Sequence, residues 1–433
     1  MGFENNFVWR PARGRRATDP NVYRGANRIY RGANKIGARQ VYPREQSTIV
    51  KNDCFDLSRN VFGILGIPVD AVDVASVISS IRSAASANEP FLVSTPNLNF
   101  LVTSQTDPEF RESLLRSDLC PVDGIPIVWI ARLLGVPIKQ RVAGSDIFDG
   151  LKAACDANMP SKVFLFGGPP EVAEMAAKLL NTRSQGVCCV GHFYPGYGTI
   201  EEMSTQSVID SINASGADLF VASLGAKKGQ EWLMKNHHRL RIPVRSHFGA
   251  AISFQAGKLR RAPLWIRRFG FEWLWRIKEE PHLWRRYWAD GQVLLKLMLT
   301  SVLPLALNAQ WQRLKPFGER RPFEIQATDR GDSTGIIMKG AATTERVAEV
   351  TSYFHYALMN CKSVSVEISG ISTIDERFFG LLLMLRKQLM QQGLRLEFTG
   401  LTSRNRRIFR LHRFEFLLGP PIGEPWGARQ LKP

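Results

Sequence analysis

The sequence predicts an α/β protein: a Rossmann-like, mostly parallel sheet, then a basic helical appendage, then a second small α/β unit. Three observations carry this. Short apolar runs alternate with helix-period segments from Val61 to about Ala262, the pattern of strands joined by crossover helices. Basic charge and tryptophan then crowd into one belt, and after residue 320 a strand-and-helix pattern restarts. The 433 residues, 44% hydrophobic and 22% charged, suffice for two to four domains at roughly 100–200 residues each. They exclude wholesale disorder and a collagen-like fibre.

Residues 1–58 read as a flexible basic arm, poor in aliphatic residues and carrying a tandem heptad, Val22–Arg28 and Ile29–Lys35. So little apolar surface cannot offset the entropy of ordering. A solvated tail is the plainer reading, contact with RNA or lipid headgroups the sharper one. The opening MGFENNFVWRPARGRR has no apolar core after its charges, so no secretory signal is expected and the chain is placed in the cytoplasm.

Residues 59–262 form the main α/β domain. FLVSTPN, KVFLFGG, GVCCVGHF, ADLFVASLGA and VRSHFGAA each read as a strand ending in small or polar residues, with helices at Ser145–Asn158, Pro170–Asn181 and Thr205–Ser215 between them. Ligands bind such sheets at the carboxyl ends of the strands. Residues 263–320 interleave tryptophans with arginines and continue into VLLKLMLTSVLPLAL, interrupted by Lys296 and Pro304. That run is too short to span a bilayer unaided. Trp with Arg suits the bilayer interface; the alternative is a helix whose tryptophans are core. Residues 321–420 read as a hairpin (FEIQAT, TGIIMKG), a helix over Thr344–Asn360, the strand SVSVEISG, a helix over Asp375–Gln392, the strand LRLEFTG and a short helix Ser403–Leu411. Residues 421–433 are a tail.

Charge locates the partners. Of 57 Lys and Arg against 39 Asp and Glu, the arm holds 11 against 5 and residues 227–321 hold 20 against 6, leaving the rest near neutral. Such clustering points to a polyanion: nucleic acid, anionic lipid or a pyrophosphate. The six cysteines, Cys54, Cys120, Cys155, Cys188, Cys189 and Cys361, form no CxxC pair and read as buried thiols without a structural zinc.

Four constellations could carry chemistry. Thr95-Pro-Asn97, with Asn99 nearby, follows the FLVS strand and could hold sugar hydroxyls or simply turn the chain. Asp123, in PVDGIPIVW, is either a partly desolvated general base or a helix cap. Arg141-Val-Ala-Gly-Ser-Asp146 sets an arginine before a helix start, a common way to hold phosphate. Gly167-Gly168 and Leu224-Gly225 are strand-to-helix turns where backbone can approach a nucleotide, yet neither fits a dinucleotide or P-loop pattern. His237-His238 lie on a basic helix and read as a solvated face.

In order, these pieces resemble the WecG/TagA/CpsF family of bacterial glycosyltransferases, from about Val61 to Tyr287. The resemblance rests on T-P-N at Thr95–Asn97, Asp123-Gly124, R-V-x-G-x-D at Arg141–Asp146, Gly167-Gly168 and L-G-A at Leu224–Ala226. It continues with A-G-x-x-x-R-A-P at Ala256–Pro263, E-W-L-x-R at Glu272–Arg276, and Glu280-Pro281. It implies an inverting, metal-independent, cofactor-free transfer of an N-acetylmannosamine or mannose-type sugar. The donor would be a UDP- or GDP-linked sugar and the acceptor a polyprenyl-pyrophosphate-linked glycan, in surface or exopolysaccharide synthesis on the inner face of an anionic membrane. Nucleic acid is then no partner. By position, Asp123 would be the base. Thr95, Asn97, Arg141, Gly167, Gly168 and Gln230 would bind substrate, and Arg261, Arg276 and Arg286 the diphosphate. Two positions depart from the family pattern: Gly229 stands where glutamine is usual, with Gln230 one residue on, and Leu283 replaces an arginine. A catalytically inactive scaffold is the alternative.

The C-terminal unit is similar to STAS domains, through VSVEISGISTIDERFFGLLLML and LRLEFTGLTSRNRRIFRL. Such switches carry a phosphorylatable hydroxyl after the aspartate. Here Asp375 is followed by Glu376, whose fixed negative charge argues against a kinase switch and leaves a docking or regulatory module able to meet a protein partner.

Overall fold

A computed structural model describes residues 55–153, 160–183, 186–314 and 322–419. The heptads of the arm, Cys54, Cys155 and the tail lie outside these. The described residues belong to one compact unit.

The chain opens with helix α1 (Phe55–Ser58) and an antiparallel hairpin of β1 (Val61–Ile64) and β2 (Ile67–Asp70). Residues 55–58, read as the end of the arm, are instead helical and held down, with Leu57 and Asp56 buried. Next come α2 (Val74–Ala87), β3 (Phe91–Ser94), α3 (Leu98–Thr106), α4 (Pro108–Leu115), α5 (Ile125–Leu133), α6 (Gly144–Ala153) and β4 (Ser161–Gly167). They are followed by α7 (Val172–Arg183), β5 (Val187–Phe193), α8 (Gln206–Ala214), β6 (Leu219–Ser223), α9 (Ala226–Asn236), β7 (Val244–His247) and α10 (Ala251–Gln255). The five runs read as strands are β3 to β7. They form one wholly parallel sheet in the order β3-β7-β6-β4-β5. The central strands are buried along their length, β6 at all five positions and β7 at all four, although β7 carries Arg245, Ser246 and His247.

Beyond the sheet, α11 (Leu264–Arg268) and α12 (Glu272–Glu279) lead into α13 (Trp284–Leu297), a π-helical turn (Met298–Val302) and α14 (Leu303–Leu314). Lys296 and Pro304 do not interrupt this rod. From Pro281 to Trp311 it is one 31-residue helix, long and apolar enough by length and composition to cross a membrane. The π turn directly precedes Pro304, which has no N–H to donate to the ladder. One side of the rod, through Leu297, Val302 and Leu305, packs on a core shared with Ile127 and Ile130 of α5. The tryptophans are not core. Trp265, Trp284, Trp288 and Trp311 are exposed.

The C-terminal unit has β8 (Glu324–Asp329), β9 (Ser333–Ala342), α15 (Val347–Met359), β10 (Ser363–Ile374), α16 (Glu376–Gln391), β11 (Leu396–Thr399) and α17 (Ser403–Leu411). Its sheet runs β11-β10-β9-β8, with β8 and β9 the expected antiparallel hairpin and the other pairs parallel. Helix α16 is the surprise. Twelve of its residues are buried, because its outer face lies on β1 and α1 of the first domain. Leu57, Val61 and Leu115 join the same core as Phe378, Phe379 and Leu382. Glycine at 380 is needed for this approach, since a Cβ there would sit 2.0 Å from the Val61 carbonyl oxygen.

Charges seal the contact. Lys387 of α16 pairs with Asp56 and Asp118, while Arg59 pairs with Asp56 and Asp70. Burial alone would raise Asp56, yet Lys387 and Arg59 hold it below the usual carboxylate range. Glu376 does not carry the fixed charge expected of it. Burial, with Asp375 beside it, pushes its carboxyl up to about 8. Its neighbour His412, 3.7 Å away, is driven down to about 3 by burial and so is neutral. Among the described cysteines, Cys120 and Cys189 are buried as expected, Cys188 is partly buried and Cys361 is exposed.

Candidate active site

The site assembles at the carboxyl ends of β3, β7, β6 and β4. After β3 the chain turns through Thr95-Pro-Asn97. Thr95, buried, donates to the His247 carbonyl at the end of β7 (3.3 Å), and Asn97 caps α3 by accepting from the Phe100 amide (3.3 Å). This cap uses the Asn97 side-chain carbonyl.

Asp123 is brought here by backbone pairing. Leu119 bridges Val93, and the Asp123 amide donates to the Pro96 carbonyl (2.9 Å). The Val142 amide in turn donates to the Val122 carbonyl (2.7 Å), which sets Arg141 beside Asp123. Asp123 does not cap the helix that follows it: α5 has no side-chain cap. Its carboxyl lies in a crowded recess and is pushed up to about 7. Burial is the main cause, Glu272 and Asp146 add to it, and Arg141 and Arg261 oppose it.

The arginines around it are held by carboxylates. Asp146, near the start of α6, contacts Arg141 (3.4 Å), Arg261 and Arg267 (3.7 Å). Glu272, at the start of α12, forms a close ion pair with Arg141, fastening α12 over the recess. Arg261 also pairs with Asp149 and bonds Ser145 (2.9 Å). Arg261 and Arg276 face the same Phe254 ring, at 5.9 and 5.5 Å, and Arg276 pairs with Glu280. Even so, Nε of Arg261, Nε of Arg267 and Nη1 of Arg276 are buried donors with no partner among the described residues. Unmet N–H groups at one recess are what an incoming anion needs.

The remaining expected residues fall in different places. Gly167 and Gly168, at φ +97° and +83°, make the turn after β4. There a Cβ on Gly167 would lie 2.7 Å from the Ser223 carbonyl oxygen, so both conformation and space require glycine. Gln230 is wholly buried beneath the Thr95 loop, donating to Ser94 Oγ (2.9 Å) with its Oε1 unmatched. Gly229 is explained by His247, whose ring would lie 2.2 Å from a Cβ there. Arg286 stands exposed on α13, over the Tyr287 ring (5.2 Å), and acts electrostatically on Asp290 rather than on Asp123. Asp290 itself is buried and accepts from Asn99 (3.2 Å). Sequence reasoning gave no role to Glu272 or Asp290. The first sits in a quoted motif; the second is a lone carboxylate on an apolar helix, a signal that could have been followed. No group of three or more metal-ligating side chains occurs among the described residues.

The fold is an α/β one, and at the carboxyl edge of its parallel sheet Asp123 is gathered with Arg141, Arg261, Asp146 and Glu272. The chain belongs to the glycosyl transferase WecG/TagA/CpsF family, whose profile matches residues 62–306, and it is a glycosyltransferase. It is similar to the N-acetylglucosaminyldiphosphoundecaprenol N-acetyl-beta-D-mannosaminyltransferase of Bacillus spizizenii, 26% identical over 199 residues covering 46% of this chain and 75% of the relative. It is equally similar to the enzyme of that name in Staphylococcus aureus, 26% identical over 226 residues covering 52% and 85%.

Proposed function

We propose that the enzyme transfers an N-acetylmannosamine or mannose-type sugar from a UDP- or GDP-linked donor to a polyprenyl-diphosphate-linked glycan, with inversion and without a metal. The relatives' names specify an undecaprenyl-diphosphate-linked N-acetylglucosamine acceptor, which supports this substrate class. The observation that carries the reading is Asp123, a carboxyl with its pKa raised to about 7 in a recess ringed by arginines.

Asp123, ionised, takes the proton of the acceptor hydroxyl as its oxygen attacks the anomeric carbon. The bond to the nucleotide diphosphate breaks on the opposite face, and its electron pair leaves with the diphosphate. Arg141, Arg261 and Arg276 neutralise that charge, with Arg286 at the outer edge. Electrostatic contacts of this kind are typically worth about 10²–10³ in rate each. Thr95, Asn97, Gly167, Gly168 and Gln230 shape the sugar and nucleotide pocket.

The same reading divides the chain at about residues 58, 262 and 320 and treats residues 263–320 as a membrane-associating appendage on the inner face. The exposed apolar residues of the 281–311 helix support that placement. The C-terminal unit, with its mixed four-stranded sheet, is proposed as STAS-like. The test is turnover with candidate nucleotide sugars, a short lipid-diphosphate acceptor and a chelator. Asp123→Asn should lose most activity while binding donor normally; full activity would remove Asp123 as the base, and dependence on added metal would remove the metal-free mechanism.

A further inference from the structure

Helix α17 belongs to the C-terminal unit, yet it lies against the long helix of the first domain. Arg413, just beyond its end, donates to Ser301 Oγ (3.1 Å) and Thr300 Oγ1 (3.0 Å) of that helix. Leu411 packs on the core that contains Leu297, Val302 and Leu305. Asn405 and Phe409 turn inward, leaving Arg404, Arg406, Arg407 and Arg410 exposed. Arg404 and Arg407, seven and four residues before Leu411, fall on its flank, the side that meets the long helix. Among the described residues, Arg410 alone of the four pairs with a carboxylate, Glu415, in an exposed pair of little strength.

Beside this arginine face the long helix bares Trp284, Trp288, Leu295, Leu299, Leu303, Leu307 and Trp311. Most are spaced by four, so they make one stripe. Thr300, where Arg413 is moored, adjoins Leu299 within that stripe.

We infer that α17 and the long helix form one membrane-docking surface, in which the α17 arginines bind anionic lipid headgroups while the stripe enters the acyl boundary. Apolar burial flanked by clustered arginines is the chemistry of an anionic bilayer interface. The C-terminal unit thereby adds lipid selectivity to an enzyme whose membrane contact is itself part of the function proposed above.

The experiment is flotation of the full chain with phosphatidylcholine vesicles, with and without phosphatidylglycerol. The triple variant Arg404→Gln, Arg406→Gln, Arg407→Gln should partition to the anionic vesicles on the order of 100-fold more weakly, at about fivefold per arginine. Its binding to neutral vesicles and its turnover of a water-soluble short-chain acceptor should be unchanged. Leu299→Gln with Leu303→Gln should weaken binding to both vesicle types. Anionic binding by the triple variant equal to the parent's overturns the inference while leaving the apolar stripe standing. If the parent ignores both vesicle types, the membrane placement of the long helix falls, and this inference with it.

Discussion

Asp123 and Glu376 are two carboxyls raised by burial, one open to chemistry and one sealed. As the base proposed above, Asp123 is active only when ionised, so kcat/KM should climb with pH through about 7. Glu272 is one cause of the raised value. Replacing it by glutamine removes a negative charge near Asp123 and should move that rise to lower pH; an unmoved or upward-shifted profile would separate Glu272 from the base. For Glu376 the sign concerns stability. Its folded value of about 8 lies above the ordinary glutamate value of 4.5. The folded state alone holds the proton between these, so stability falls as pH climbs from about 4.5 to about 8. Glu376→Gln should flatten that decline, read as urea midpoints at several pH values. Both groups were legible as candidates in the sequence, one as a base and one as a replaced switch position. Their protonation was not, because it depends on which neighbours burial supplies.

Elements show the same division. Strands β3 to β6 were readable because each is a short, mainly apolar run before small or polar residues, and β7 (VRSH) from its place before the FGAA turn. The α17 span matched its helical pattern residue for residue. The long helix was misjudged by counting consecutive apolar residues: Lys296 and Pro304 break the run but not the helix. For α16 the helix was readable but its burial on β1 and α1 was not, and Gly380 marks where its backbone meets β1. Gly380→Ala should therefore destabilise the protein by about 1–3 kcal/mol or more, the range for overpacking. Helix propensity alone would make the same change favourable, so the direction seen in denaturant unfolding decides between a close contact and an ordinary helix glycine.

Across the whole molecule, the C-terminal unit behaves as part of the enzyme's body. Lys387 is buried between Asp56 and Asp118. Lys387→Ala would leave Asp118 without its cation and Asp56 with Arg59 alone, and should cost about 3 kcal/mol, the low end for breaking a buried ion pair. Unfolding followed by tryptophan emission and by far-ultraviolet circular dichroism should give one coincident transition; two separated transitions would mean that the shared core does not couple the halves. Sequence order could not reveal this docking, since Asp56, Arg59 and Asp118 lie some 270 to 330 positions from Lys387.

Local pattern by itself gave a mostly parallel sheet and the turn glycines, singled out Asp123 and Arg141 as candidates, and carried the resemblance to the family. Each is written in short-range spacing, where the backbone has few ways to satisfy its hydrogen bonds. Only the tertiary structure decided that Glu272 clamps Arg141, that Gln230 is buried, that Arg286 is exposed and acts on Asp290, and that α16 is shared between two sheets. These are pairings between distant segments, and they follow from which surfaces exclude water together rather than from any run of residues.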